Sequence, residues 1–104
     1  MSGANLRYRL KDDVVYDEVE GVPKLFNPET GMFHELNETG AQIINTLTGQ
    51  WKTLDEIADK ISQIYEADES LRGAIKADVQ KFLDDLLRRR LIDGQASEKE
   101  TGKE

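Results

Sequence analysis

At Leu36-Asn37 the chain changes its period, and that switch limits the folds open to it. Before the switch, short runs rich in β-branched and aromatic residues alternate with turn signals. Val14-Val15-Tyr16 with Val19 forms the first run, Val22-Pro23-Lys24-Leu25-Phe26 the second and Met32-Phe33-His34-Glu35-Leu36 the third. Glu20-Gly21 separates the first two. Asn27-Pro28-Glu29-Thr30-Gly31 separates the second and third: Asn and Pro open a turn, and Gly31 can take a positive φ. Pro23 lies near the start of its run, where a missing N–H is tolerated. Connections this short favour an antiparallel meander.

After the switch, apolar residues recur at helical spacing. Asn37 can cap a first helix, with Thr39-Gly40-Ala41-Gln42 as an alternative capping box. Ala41, Ile43, Ile44 and Leu47 give this helix one apolar side, and Gly49 stops it. Thr53-Leu54-Asp55-Glu56 is a capping box for a second helix, along which Leu54, Ile57, Ala58, Ile61, Ile64 and Tyr65 follow. Trp51, just before it, reads as an anchor for the turn. Ala67-Asp68-Glu69 is a polar break, and Ser70 is the expected cap of a third helix. That helix carries Leu71, Ile75, Val79, Phe82, Leu83, Leu86 and Leu87, with Arg88-Arg89-Arg90 in its last turns, where positive charge suits the dipole. Three strands cannot bury their own apolar face, so the helices must pack on them. The expected fold class is therefore α+β, a three-stranded antiparallel sheet followed by three helices. Residues 1–7 read as an N-terminal extension, 8–93 as the folded domain and 94–104 as a disordered polar tail.

Composition narrows the function. At 104 residues the chain is one domain with one modest core. It has no cysteine, which removes disulfides, thiolate metal sites and thiol nucleophiles. His34 is the only histidine, and the acids show no metal-loop spacing. The pairs Asp55-Glu56 and Asp84-Asp85 are sequence neighbours on helices and do not face each other, so they are poor acid/base dyads. No phosphate-cradling glycine pattern occurs. The reading is a non-catalytic chain with no metal and no cofactor. Net charge is −7, and only residues 70–93 are locally basic, with six bases against four acids. An acidic body argues against nonspecific nucleic-acid binding. No apolar run approaches the roughly 20 residues of a membrane span, and the first residues lack a signal core. A cytoplasmic location is expected.

The stretch Asn27 to Ile44 contains a turn, a strand ending in Leu36-Asn37, then Thr39-Gly40-Ala41 and a helix with Ile43-Ile44. This order resembles the PqqD-like family, the precursor-peptide recognition domains of pathways that modify ribosomally made peptides. Two further elements match. Leu47, Gly49 and Thr53-Leu54-Asp55-Glu56-Ile57 resemble the family's glycine followed by a capped helix. Asp78-Val79, Phe82-Leu83, Leu86, Leu91 and Ile92 resemble its final-helix signature. Arg90 departs from the pattern, since the family often has Gly before Leu-Ile. The resemblance covers about residues 8–93. It implies a winged-helix-like fold and a role in binding a leader peptide and presenting it to a modifying enzyme, such as a radical-type enzyme, a peptidase/cyclase or another modifier. In the family, the leader adds a strand beside the third strand, in the groove against the third helix.

An edge strand offers unpaired N–H and C=O groups, and apolar pockets beside it supply specificity. On the third helix, Leu71, Ile75, Phe82 and Leu86 cluster at about 100° per residue. Leu83 and Leu87 widen the stripe on one side, bordered by Lys76 and Gln80. Leu83, Leu87 and Val79 are the expected groove lining, with Lys76 and Arg90 attracting leader acids. Met32, Phe33, His34, Glu35 and Leu36 are expected to act mainly through backbone, with Phe33 or His34 shaping a pocket. A winged-helix DNA-binding regulator is the main rival. Its reading helix would be the second, expected to carry Asp55, Glu56, Asp59 and Glu66 against only Lys60 and so to repel phosphate. A generic protein–protein adaptor is the other.

Overall fold

The computed structural model describes residues 6–96. The expected meander is present. Strands β2 (Val15–Val19), β3 (Val22–Asn27) and β4 (Met32–Glu35) pair antiparallel in the order β2-β3-β4. Glu20 (φ 54°) and Gly21 (φ 79°) make the two-residue β2–β3 connection with both residues left-handed, the geometry that matches strand twist. In the next turn the Asn27 carbonyl accepts from the Gly31 N–H at 2.8 Å, and its side-chain oxygen accepts from the Glu29 N–H at 3.0 Å. Those bonds satisfy Asn27, a polar residue that is buried. Pro23 sits opposite Leu36, beyond the last residue of β4, so its missing N–H breaks no ladder bond.

Three helices follow: α1 (Glu38–Leu47), α2 (Leu54–Ile64) and α3 (Glu69–Arg88). Asn37 caps α1 by accepting from the Gly40 N–H at 2.7 Å. Thr53 and Glu56 form the complete capping box of α2. The third cap differs from expectation. It is Asp68, whose carboxylate accepts from the Leu71 N–H at 2.9 Å, while the Ser70 hydroxyl donates to that same carboxylate. The ionised oxygen is the stronger acceptor at a helix N-terminus. Its hydrogen bonds from the Leu71 N–H and the Ser70 hydroxyl hold the Asp68 carboxyl below its ordinary range.

Arg90 lies past the end of α3 rather than in its last turn. It is left-handed (φ 61°), and the helix closes with the Leu91 N–H bonded to the Leu86 carbonyl and the Arg90 N–H to the Leu87 carbonyl. This is the Schellman closure, and its left-handed position is where glycine is normally found. That accounts for the departure at Arg90: the position calls for glycine and carries an arginine.

A second sheet was not expected. Strand β1 (Leu6–Leu10) pairs antiparallel with β5 (Lys52–Thr53) on one side and β6 (Ile92–Ala96) on the other. Regular structure thus runs past both expected domain limits, residues 8 and 93. Residues 1–5 and 97–104, with most of the expected tail, lie outside the described residues. Trp51 is half-buried, with the Arg9 guanidinium 4.9 Å from its ring centre, so it anchors β5 to β1. Tyr8, Leu10, Leu91 and Ile92 enter one core with Ile43, Ile44 and Leu47 of α1, Ile57 and Ile61 of α2, and Val79, Leu83 and Leu86 of α3. From its strands the meander contributes the fully buried Leu25, with Tyr16 packed against the cluster and Val14 and Leu36 at the strand flanks.

Candidate functional site

The meander therefore projects from the core with one edge strand, β4, beside α3. The Leu36 N–H bonds to the Pro23 carbonyl at 2.8 Å. Ladder bonds alternate in an antiparallel pair, so the N–H and C=O groups of Phe33 and Glu35 point to the free edge. Side chains alternate too. His34 lies in the row of Leu25 and Tyr16, on the face that reaches the core. Phe33 lies on the opposite face, its ring centre 4.8 Å from that of Phe26.

Between β4 and α3 runs an open groove of about 330 Å³. Met32 to Leu36 form one wall, Phe82, Asp85, Leu86 and Arg89 the other, and Leu91 closes the end. Phe82 reaches across to the start of α1 because Gly40 leaves space. A Cβ on Gly40 would sit 3.1 Å from the Phe82 ring and 3.1 Å from the capping oxygen of Asn37. Arg89 donates to Asp85 at 2.9 Å and lies 3.4 Å from His34 Nδ1, so it spans the groove. Partial burial works to raise the Asp85 carboxyl, but hydrogen bonds from Arg89 and Arg88, with their charges, together hold it below the usual range.

Of the residues expected in the site, Met32 to Leu36 line this groove, and Lys76, Val79, Gln80, Leu83, Leu87 and Arg90 do not. Val79 and Leu83 are 1% and 0% exposed, in the core rather than in the groove. Leu87 turns to the second sheet and packs 3.3 Å from where a Cβ on Gly94 would be. Lys76 and Gln80 face the same way, lining a small cleft with Leu6, Tyr8 and Thr53, and Lys76 is paired with Asp55 at 2.6 Å. Arg90 is exposed beyond the helix and does not line the groove. The reason is geometric. At about 100° per residue, Leu83, Lys76 and Leu87 lie roughly 100–160° round from Phe82 and Arg89. The unexpected second sheet and α2 cover that side. A sequence signal for the open edge existed. Asp78, Asp85 and Arg89 interleave with Leu71, Ile75 and Phe82 at spacings of three and four, and a buried edge would not carry charge at its centre.

Among the described residues no group of three or more His, Cys, Asp or Glu side chains is placed to hold a metal ion, and no helix is long and apolar enough to cross a membrane.

Comparison with known proteins agrees with this architecture. No curated protein matches the chain. Two solved structures do. One is TbiB1 in complex with the TbiA(beta) leader peptide, at 27% identity, TM-score 0.68, covering 86% of this chain and 99% of that one. The other is the solution structure of the PqqD truncation of PqqCD from Methylobacterium extorquens, described as a functional, stand-alone recognition element for ribosomally synthesised and post-translationally modified peptides. It has 24% identity and a TM-score of 0.68, covers 84% of this chain and 88% of that one, and bears on the fold alone. The family model for coenzyme PQQ synthesis protein D matches residues 25–92, from the middle of β3 to the start of β6. With the meander edge, the three helices and the Leu91-Ile92 ending all inside that match, the chain belongs to the PqqD family.

Proposed function

We propose that this chain binds the leader segment of a ribosomally made precursor peptide and presents it to a separate modifying enzyme, without itself catalysing a reaction. The observation that carries this reading is the free edge of β4 facing the open flank of α3. A leader laid along β4 as a fourth strand would bond to the N–H and C=O of Phe33 and Glu35. Its alternate side chains would drop between Phe82, Leu86 and Leu36, and its polar groups would meet Arg89 and Asp85. A structural relative holding a leader peptide supports the same use of this fold. The DNA-reading alternative has the wrong sign at the surface it needs. The exposed Asp55 and Asp59 of α2 pair with Lys76 and Arg72 of α3, so the cations facing this helix are already engaged by its own acids. The partner enzyme is proposed as a radical-type enzyme or a peptidase/cyclase.

The test is fluorescence anisotropy with labelled leader peptides of candidate short precursors from the same genome. Micromolar or tighter binding is expected, weakened about tenfold by Phe82→Ala through loss of an apolar pocket wall. Leu87→Ala, on the covered side of α3, is expected to leave affinity unchanged. No binding by the unaltered chain, or equal losses in both variants, would refute the reading.

A further inference from the structure

The flank of α3 that forms the groove does not end at Phe82. Continuing toward the helix start, Asp78, Ile75 and Leu71 lie on the same line, at spacings of four, three and four residues. Beside them is a second cleft of about 370 Å³, lined by Thr39, Ile61, Tyr65, Leu71, Ile75, Asp78 and Val79. Its wall is fixed at the mouth by a 3.0 Å hydrogen bond between the Thr39 and Tyr65 hydroxyls. Its rim is apolar and uncovered: Leu71 is 48% exposed and Tyr65 42%. A lone exposed leucine needs no explanation, but adjoining apolar side chains around a preformed cleft do.

We propose that this cleft is a second subsite for the same leader peptide, taking one bulky apolar side chain from the segment N-terminal to the residues paired with β4. The inference rests on the leader-binding reading above and adds to it a position and a chemistry. Two observations choose the occupant. The cleft adjoins the groove, since the Phe82 ring of the groove packs at Gly40, the residue next to Thr39 of the cleft. And β4 runs toward that turn, so a peptide pairing antiparallel, the more stable arrangement, has its earlier residues on the side of Thr39. From Leu86 to Ile75 is eleven helical positions, about 16 Å along α3, a span that about five extended peptide residues cover. Asp78 at the rim disfavours an acidic side chain in this position.

The experiment uses labelled candidate leader peptides, each shortened from its N-terminus one residue at a time, against the unaltered chain, Leu71→Gln and Leu71→Trp. Leu71 is half-exposed, so neither substitution opens a hole in the core, and thermal melts verify that both fold. One shortening step, about five residues before the β4-paired segment, is expected to cost about tenfold in affinity. Leu71→Gln and Leu71→Trp are each expected to weaken the longer peptides by a similar factor and to leave the shorter ones unaffected, so the two losses do not add. If both variants bind every peptide as the unaltered chain does, while Phe82→Ala still weakens all of them, the second subsite is refuted and the groove stands. If no peptide binds the unaltered chain, both readings fall.

Discussion

The two three-stranded sheets of this protein do opposite things with the same kind of secondary structure. The β5-β1-β6 sheet gathers strands from the two ends and the middle of the chain, and it buries Tyr8, Leu10 and Ile92 in the core. The β2-β3-β4 sheet is made of neighbours in sequence, gives the core Leu25, and leaves Val15, Val19, Met32 and Phe33 exposed. One closes the domain; the other holds an edge away from it. The proposed recognition edge is therefore separate from the core, with α3 between them: its side bearing Val79 and Leu83 is sealed, and its side bearing Phe82 and Arg89 is open.

The sharpest way to break that comparison is to truncate one aromatic from each sheet. Tyr8→Ala is expected to lower the unfolding free energy by about 3 kcal/mol, because it empties a fully enclosed site. Phe33→Ala is expected to cost less than about 1 kcal/mol and to weaken leader binding instead. Urea denaturation of the pair checks both, and comparable losses of stability would show that the meander is part of the core.

A smaller effect is expected where the second sheet meets α2. Thr53 pairs with Arg7 in the ladder and also caps the helix. Thr53→Ala should cost about 1 kcal/mol, read from the same denaturation curves, with leader affinity unchanged. Smaller again, Arg90→Gly should raise stability by about 0.5 kcal/mol, as relief of a left-handed side chain outweighs the extra freedom of glycine in the unfolded chain. A loss there would mean that the arginine makes a contact of its own.

The smallest effect is in the pH profile. Hydrogen bonding to the Thr53 backbone is the main reason that the Glu56 carboxyl sits below its ordinary value, despite some desolvation. Its folded value lies below its unfolded value, so its contribution to stability is complete above the unfolded value, about 4.3, and is lost as pH falls through the folded one. Thermal melts between pH 7 and 3 should show Glu56→Gln less stable than the unaltered chain at pH 7, with the gap closing in acid. A gap that persists at pH 3 would mean that the side chain acts by packing.

What was legible in the sequence follows the same division. The meander and the helices are local: Glu20-Gly21, Asn27 to Gly31, Asn37 and Thr53-Glu56 each announce an element boundary within a few residues of the element itself. The second sheet is not local. Leu6-Arg7-Tyr8-Arg9-Leu10 does alternate with strand period, but its partner Ile92–Ala96 lies more than eighty residues away and no turn signal links them. Missing that sheet had one consequence for the site. With nothing known to cover the Lys76, Leu83 and Leu87 side of α3, that side looked open and the groove was expected there. The strand wall, Met32 to Leu36, was readable because it needed only the meander.

The central claim is that recognition occurs at the β4 edge and the open flank of α3. The most direct measurement is a titration of a candidate leader peptide that binds by anisotropy into isotope-labelled protein, followed by backbone amide NMR. The amides of Phe33 and Glu35 should shift most, joined by those around Phe82, Leu86 and Arg89, while Leu6–Leu10 stays still. Shifts centred on the β1 ladder or on α2, with β4 unmoved, would contradict it.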